Sequence, residues 1–172
     1  MLILKVIILQ SFWFLAVKAG PNFQELILAL SIILVMANFF IFKPKISLAH
    51  YIGLLITFVF FGLLEDSLLK YLGLVNYGQA TIPLWLLSLY VIFLAYYGDI
   101  FEKFKELPLI IISLLGGLGG VSAFWSGAKI SPMTVLSNYY FIWIFISWAI
   151  FFPISLIVFN KLSKRYIFNS GE

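Results

Sequence analysis

Apolar residues run along this chain in six long stretches, separated by short clusters of polar, glycine and proline residues. Each stretch is close to the roughly 20 residues that an α-helix needs to cross the apolar core of a bilayer. Strands are excluded in such segments, because lipid offers no hydrogen-bonding partner to an open sheet edge. The pattern therefore predicts six transmembrane helices, at about residues 2–18, 24–43, 47–70, 81–100, 107–128 and 138–161.

Composition supports this interpretation. Hydrophobic residues make up 63% of the 172 residues and charged residues 10%, whereas soluble domains average about 45–50% and about 25%. A water-soluble domain of this size has too much surface to hide so many apolar side chains. We therefore expect an all-α fold in which residues 1–172 form a single integral membrane bundle.

The first apolar stretch has the length of a signal peptide but lacks its other features. Gln10 interrupts the apolar run, Trp13 lies late in it, and no small-x-small cleavage site follows. We interpret this stretch as the first membrane helix.

The cations indicate an orientation for these six helices. With six crossings, both termini and the second and fourth connectors lie on one side, and Lys and Arg are concentrated there. We therefore predict that both termini are cytoplasmic. The cations on that side are Lys5, Lys43, Lys45, Lys103, Lys105, Lys161, Lys164 and Arg165, against Lys18, Lys70 and Lys129 on the other side.

Several classes of function are disfavoured by what the sequence lacks. There is no cysteine and only one histidine, so no thiolate or paired-histidine metal site is expected, and neither is a cofactor. The 11 Lys and Arg residues exceed the 7 Asp and Glu residues, but they are scattered, so a nucleic-acid partner is not expected. The partners that remain are the lipid bilayer, a lipid or lipid-linked ligand, and a second copy or another membrane protein.

Two adjacent carboxylates, Glu65 and Asp66, end the third helix near the outer membrane boundary. Adjacent helical residues project about 100° apart, so these two side chains cannot act on one point. Asp66 has Lys70 one turn later, an order that favours an interfacial ion pair. The alternative is a substrate or headgroup site that includes Glu65, because ionisable residues in membrane segments are often functional.

Other polar and aromatic residues extend the candidate site. Gln10 lies near the middle of the first helix, where its amide requires a partner such as Asn38 or Thr57, or else contacts a ligand. Aromatic residues at the outer boundary form either a membrane-interface belt or part of a site. No catalytic residue can be assigned, and the candidate ligand-binding residues are Glu65, Asp66, Gln10, Trp13, Trp85 and Lys129.

The fifth helix is rich in small residues at spacings of four. Such small-xxx-small rows allow another helix to approach closely, and glycines also weaken a helix by about 1 kcal/mol each relative to alanine. Helix packing is the first interpretation, and a bend that opens a cavity is the second. The residues concerned are Gly116, Gly117, Gly119, Gly120, Ala123 and Gly127.

The order of these motifs resembles a bacterial family of small multi-pass inner-membrane proteins classified as a domain of unknown function, numbered twenty-eight seventy-eight. The chain departs from the family at Tyr97–Asp99, where the family has Asn-His-Ser, and at Val121–Phe124, where it has Pro-Leu-Ser-Tyr. The resemblance implies a multi-pass inner-membrane protein and a loose link to membrane-lipid modification. It rests on Gln10 with Trp13–Phe14, on Gly62–Ser67, on Pro83–Leu86, and on Gly116–Gly120 followed by Ser126–Ala128.

Three hypotheses of function follow. The leading one is a protein that binds a lipid or lipid-linked molecule in a groove near the outer face, or that assists lipid modification. An intramembrane enzyme would instead use Glu65 or Asp66 on an acyl or isoprenoid chain. A small-solute transporter would require an oligomer, since six short helices are few for alternating access. The first hypothesis rests on the gathering of Glu65, Asp66, Asn76, Tyr77, Trp85 and Lys129 at one end of the bundle.

Overall fold

The computed structural model describes residues 2–42, 47–104, 106–135 and 139–169. Within these ranges the chain forms six α-helices and one short two-stranded ribbon, so the predicted all-α fold is confirmed. The elements are α1 (Leu2–Ala19), α2 (Gln24–Phe42), α3 (Leu48–Tyr71), β1 (Val75–Asn76), α4 (Leu84–Phe104), α5 (Leu109–Ile130), β2 (Thr134–Val135) and α6 (Tyr140–Asn169).

Four of the described helices are long and apolar enough to cross a membrane, as expected of a membrane protein. A further helix, Leu84–Tyr96, is apolar but shorter. The count of six crossings therefore stays a prediction. So does the orientation, because Lys43, Lys45 and Lys105 lie outside the described residues. The four spans are Gln24–Ile41, Leu48–Tyr71, Leu109–Ile130 and Tyr140–Lys161.

Helix α4 occupies the centre of the bundle. It packs against α1, α2, α3 and α6, whereas α5 packs mainly along α6 and touches α1 only sparingly. Ile92 of α4 and Ile144 of α6 are fully buried in the core. Large apolar side chains such as Ile33, Phe60 and Ile110 point outward instead, as is expected of a surface that faces lipid.

Helix α3 ends in a Schellman motif. Gly73 adopts a φ of 68°, and the amide of Leu74 donates back to the carbonyl of Leu69 at 3.0 Å. A left-handed residue at this position favours glycine, which has no Cβ to clash. The turn directs the chain into β1 and away from the helix axis.

The ribbon joins two connectors that are distant in sequence. β1 follows α3 and β2 follows α5, and they pair antiparallel with Val75 opposite Val135 and Asn76 opposite Thr134. The connectors also place Tyr77 and Met133 in the buried core. The ribbon therefore ties the end of α3 to the end of α5 at one end of the bundle.

Candidate functional site

A cavity of about 530 Å³ lies between α1 and α4 on one side and α5 and α6 on the other. This volume falls within the range of about 300–1,000 Å³ that is typical of small-molecule sites. Its lining follows α4 from Trp85 to Phe104, a distance of about 28 Å at 1.5 Å per residue. Most of the lining residues are aliphatic or aromatic. The space is therefore long and mainly apolar.

Most of the residues singled out from the sequence meet in this cavity, although they come from four different helices. From the candidate ligand-binding residues, Gln10, Trp13, Asp66 and Trp85 contribute to the lining, whereas Glu65 and Lys129 do not. From the small residues of α5, the lining includes Gly116, Gly119, Gly120, Ala123 and Gly127.

Asp66 is the one carboxylate among the described lining residues, and it is fully buried. Its two carboxylate oxygens each accept one hydrogen bond from a phenol: Tyr77 donates to Oδ1 at 2.6 Å and Tyr90 donates to Oδ2 at 2.6 Å. Burial, reinforced by the charge of Asp66, raises the pKa of Tyr77 well above its usual value. Tyr77 therefore keeps its proton and remains a donor to Asp66. We call Asp66, Tyr77 and Tyr90 the Asp66 cluster.

The expected ion pair between Asp66 and Lys70 is wrong. The Lys70 ammonium instead donates to the backbone carbonyls of Gln79, Ala80 and Thr81, at 2.6, 2.5 and 3.2 Å. These carbonyls belong to the connector before α4, which has no repeating structure to satisfy them. Lysine has three donors, and three carbonyls occupy them, so Asp66 is left to the two tyrosines.

Glu65 points away from the cavity, toward α6. Its Oε1 accepts a hydrogen bond from Ser147, while its buried Oε2 has no hydrogen-bond partner. The adjacent Asp66 faces α4 and the connector after α3, as the 100° between successive helical residues requires. The two carboxylates therefore have separate surroundings.

Gln10 does not pair with Asn38 or Thr57. The Asn38 amide donates to the Tyr51 hydroxyl at 3.1 Å and to the Ala95 carbonyl at 3.0 Å, and Thr57 donates to the carbonyl of Gly53. Asn38 thus joins α2 to α3 and α4, on the far side of α4 from the cavity. The Gln10 side chain is exposed and belongs to the lining of the cavity.

Four glycines of α5 divide into two groups by what a side chain would meet. A Cβ on Gly116 would lie 2.5 Å from the Cβ of Phe152, and one on Gly117 would lie 2.7 Å from the Phe145 ring. At Gly120 it would collide with the Trp148 ring. A Cβ on Gly119, by contrast, would meet nothing within 4 Å. The first group lets α6 approach closely, and Gly119 leaves space open.

Two tryptophans in the lining have unpaired polar groups. The indole N–H groups of Trp85 and Trp148 are buried without a hydrogen-bond partner, and both residues border the cavity. A buried donor without an acceptor costs about 1–3 kcal/mol, so such groups require an explanation. An acceptor on a molecule in the cavity would supply one.

The cavity has an exposed edge between α1 and α5. Leu115, Gly119 and Ser122 of α5 line it and are exposed, as is Gln10 of α1. At the end of the bundle that carries the ribbon, the buried side chains of Tyr77 and Met133 belong to the lining. The cavity is thus covered at that end and open at its side.

Lys129 and its neighbour Trp125 lie outside the lining. The Lys129 ammonium is 4.0 Å from the centre of the Trp125 ring, a distance that allows a cation–π interaction. Both side chains are exposed. The structure therefore does not place Lys129 with the other candidate ligand residues.

Sequence reasoning overlooked three residues that the structure brings to this region: Tyr90, Ser147 and Trp148. Each lies in a mainly apolar helix, and no spacing distinguishes it. A usable signal existed for Tyr90, because a tyrosine hydroxyl inside an apolar stretch requires a hydrogen-bond partner. Asp66, itself a polar residue in an apolar stretch, was a candidate for that partner.

The chemistry that this arrangement allows is narrow. Apolar walls suit a hydrocarbon chain, and the Asp66 cluster together with the free indole N–H of Trp85 suits a polar group at one end. Among the described residues, no group of three or more His, Cys, Asp or Glu side chains could hold a metal ion. The site is therefore suited to an amphipathic molecule.

Comparisons with known proteins provide a family but no activity. No curated protein and no solved structure matches the chain. A family model described as "Protein of unknown function (DUF2878)" matches residues 2–154, which include every residue of the cavity lining. This is the family that the order of motifs indicated, and it covers most of the chain. The protein therefore belongs to the DUF2878 family.

Proposed function

We propose that this protein is a multi-pass membrane protein that binds a lipid or lipid-linked molecule in the cavity between α1, α4, α5 and α6. The observation that carries the proposal is the cavity itself, with about 530 Å³ of mainly apolar space and the Asp66 cluster toward one end. This distribution matches an amphipathic ligand, because hydrocarbon is favoured against apolar walls and its polar head requires hydrogen bonds.

The exposed edge between α1 and α5 supports the same proposal. Gln10 and Gly119 lie at this edge near the middle of their helices, at the depth of the bilayer interior. A lipid can enter such an opening sideways without leaving the membrane.

The proposal includes a topology. All six helices cross the inner membrane, and both termini are cytoplasmic, because the connectors on that side carry most of the Lys and Arg. The ribbon and Trp85 then lie at the outer face. Since the chain has no cysteine, single cysteines introduced at Ser131 or next to Lys161 report their side of the membrane by labelling. Labelling of the Lys161 position from outside would contradict the topology.

Filling the cavity is the direct test of ligand binding. In Gly119→Leu the new side chain starts in open space, so the cavity shrinks while the protein contacts of α5 are kept. The matched control is Gly53→Leu, since Gly53 also lies within an apolar helix, has nothing within 4 Å of an added Cβ, and is not part of the lining. Both substitutions remove a helix-weakening glycine.

Native mass spectrometry of protein released from lipid nanodiscs provides the measurement. We expect the wild type and Gly53→Leu to retain a lipid-sized adduct, and Gly119→Leu to lose most of it. Equal retention by all three proteins, or retention by none of them, would contradict the proposal.

A second candidate function, an intramembrane enzyme acting on an acyl or isoprenoid chain, is favoured by one observation. Asp66 borders the cavity and is flanked by two phenols, an arrangement in which a carboxylate can accept a proton from a bound molecule. Chemical conversion of a retained lipid by the purified protein, lost in Asp66→Asn, would support it. Recovery of the lipid unchanged would contradict it.

A further inference from the structure

The charge of the lining residues restricts the headgroup of a ligand more than the volume of the cavity does. Among the described lining residues there is no Lys or Arg, and Asp66 is the one charged side chain. Phospholipid headgroups with a net negative charge are usually bound by cations. An anionic headgroup in this cavity would face a carboxylate with no compensating charge.

The cations at the same end of the bundle are already engaged elsewhere. Lys18 lies over the Phe14 ring at 5.5 Å, and Lys129 lies over the Trp125 ring at 4.0 Å. Lys70 donates to three backbone carbonyls. None of the three lysines belongs to the lining of the cavity.

The polar groups of the lining residues define what a ligand must offer. The unpaired indole N–H groups of Trp85 and Trp148 can only donate, so they require an acceptor such as an ester carbonyl. The oxygens of Asp66 each have one phenol partner and retain lone pairs, so they can accept from a hydroxyl. The Gln10 amide can both donate and accept hydrogen bonds.

We infer that the ligand is an uncharged acylglycerol-type lipid, with a free hydroxyl for the Asp66 cluster and ester carbonyls for the indole donors. This inference rests on the proposed lipid-binding function and specifies the headgroup. Such a lipid pairs the buried donors and acceptors without bringing a second negative charge next to Asp66. Its acyl chains occupy the apolar length of the cavity along α4.

The test is a competition between lipids that differ only in the headgroup. The full-length protein is assembled in nanodiscs of dioleoyl phosphatidylcholine that contain equal amounts of dioleoylglycerol and dioleoyl phosphatidylglycerol. Native mass spectrometry then shows which lipid stays bound. We expect dioleoylglycerol to be retained about tenfold over phosphatidylglycerol, a ratio that one unfavourable charge contact suffices to produce.

Substitutions locate the contact. Trp85→Phe keeps an aromatic ring, although a smaller one, and removes the unpaired N–H, so we expect retention of dioleoylglycerol to fall about fivefold. Trp143→Phe is the matched control, because Trp143 is exposed on α6 and does not line the cavity. Asp66→Asn removes the charge, so we expect it to reduce the preference against phosphatidylglycerol.

The outcomes separate this inference from the proposed function. Preferential retention of phosphatidylglycerol or phosphatidylcholine by the wild type would overturn the headgroup inference and leave lipid binding intact. Retention of no lipid at all would overturn both. The wild-type competition requires no substitution, so it decides the matter even where Trp85→Phe fails to fold.

Discussion

The two long walls of the cavity are built in opposite ways. One wall, formed by α4 with Asp66 of α3, carries Trp85 and Tyr90 and lies at the centre of the bundle, in contact with four other helices. The opposite wall is α5, which packs mainly on α6 and contributes glycines. We call them the α4 wall and the α5 wall. The carboxylate and its phenol partners therefore lie at the most constrained helix, whereas space is made on a helix that packs mainly on one neighbour.

The largest expected effect comes from the α5 wall. A side chain at Gly120 would collide with the Trp148 ring, so Gly120→Leu should lower the free energy of unfolding by about 3 kcal/mol. Gly119→Leu, one residue away, adds its side chain to open space and should leave stability nearly unchanged. Unfolding in mixed micelles, followed by circular dichroism, measures both. Equal midpoints for the two variants would show that α5 is not held against α6 by these contacts.

A smaller effect is expected from the α4 wall. Asp66→Ala removes the acceptor of two buried phenols, and the stability should fall by about 2 kcal/mol, since polar contacts within membrane proteins are worth less than in water-soluble cores. In a Tyr77→Phe/Tyr90→Phe background, the same substitution should lower the free energy of unfolding much less, because the two phenol donors are already absent. Equal costs in both backgrounds would contradict the assigned hydrogen bonds.

The smallest effect is expected at Glu65, the carboxylate next to Asp66. Glu65→Gln keeps an oxygen that can accept from Ser147, and the second oxygen of Glu65 has no hydrogen-bond partner to lose. The stability should change by less than about 1 kcal/mol. The same unfolding assay measures this, and a loss as large as that of Asp66→Ala would show that Glu65 has a role the structure does not reveal.

The helices, and several of the residues that line the cavity, could be predicted from sequence. In lipid, long apolar stretches separated by Pro and Gly satisfy their backbone hydrogen bonds as α-helices, so the all-α fold followed from the pattern. Polar residues in those stretches, such as Gln10 and Asp66, are conspicuous because they are costly there. The sequence singled out these residues, but the groupings that it suggested differ from those in the structure, where Glu65 and Lys129 lie outside the cavity lining.

The hydrogen-bond partners of the polar side chains could not be predicted. The sequence places Lys70 one turn from Asp66. In the structure the Lys70 ammonium donates to the backbone carbonyls of residues 79–81 instead. Asn38 donates to the Tyr51 hydroxyl of α3 and the Ala95 carbonyl of α4, whereas Gln10 lines the cavity. Both outcomes depend on how the helices are arranged around α4, which local spacing does not determine.

The ribbon of Val75–Asn76 with Thr134–Val135 also limits access to the Asp66 cluster. By holding two connectors together across the end of the bundle, it leaves the aqueous phase without a direct route to the Asp66 cluster. Under the proposed lipid-binding function, the ligand therefore reaches the cavity by lateral diffusion within a leaflet. Its occupancy then depends on its mole fraction in the membrane, so even a compound nearly insoluble in water can saturate the site.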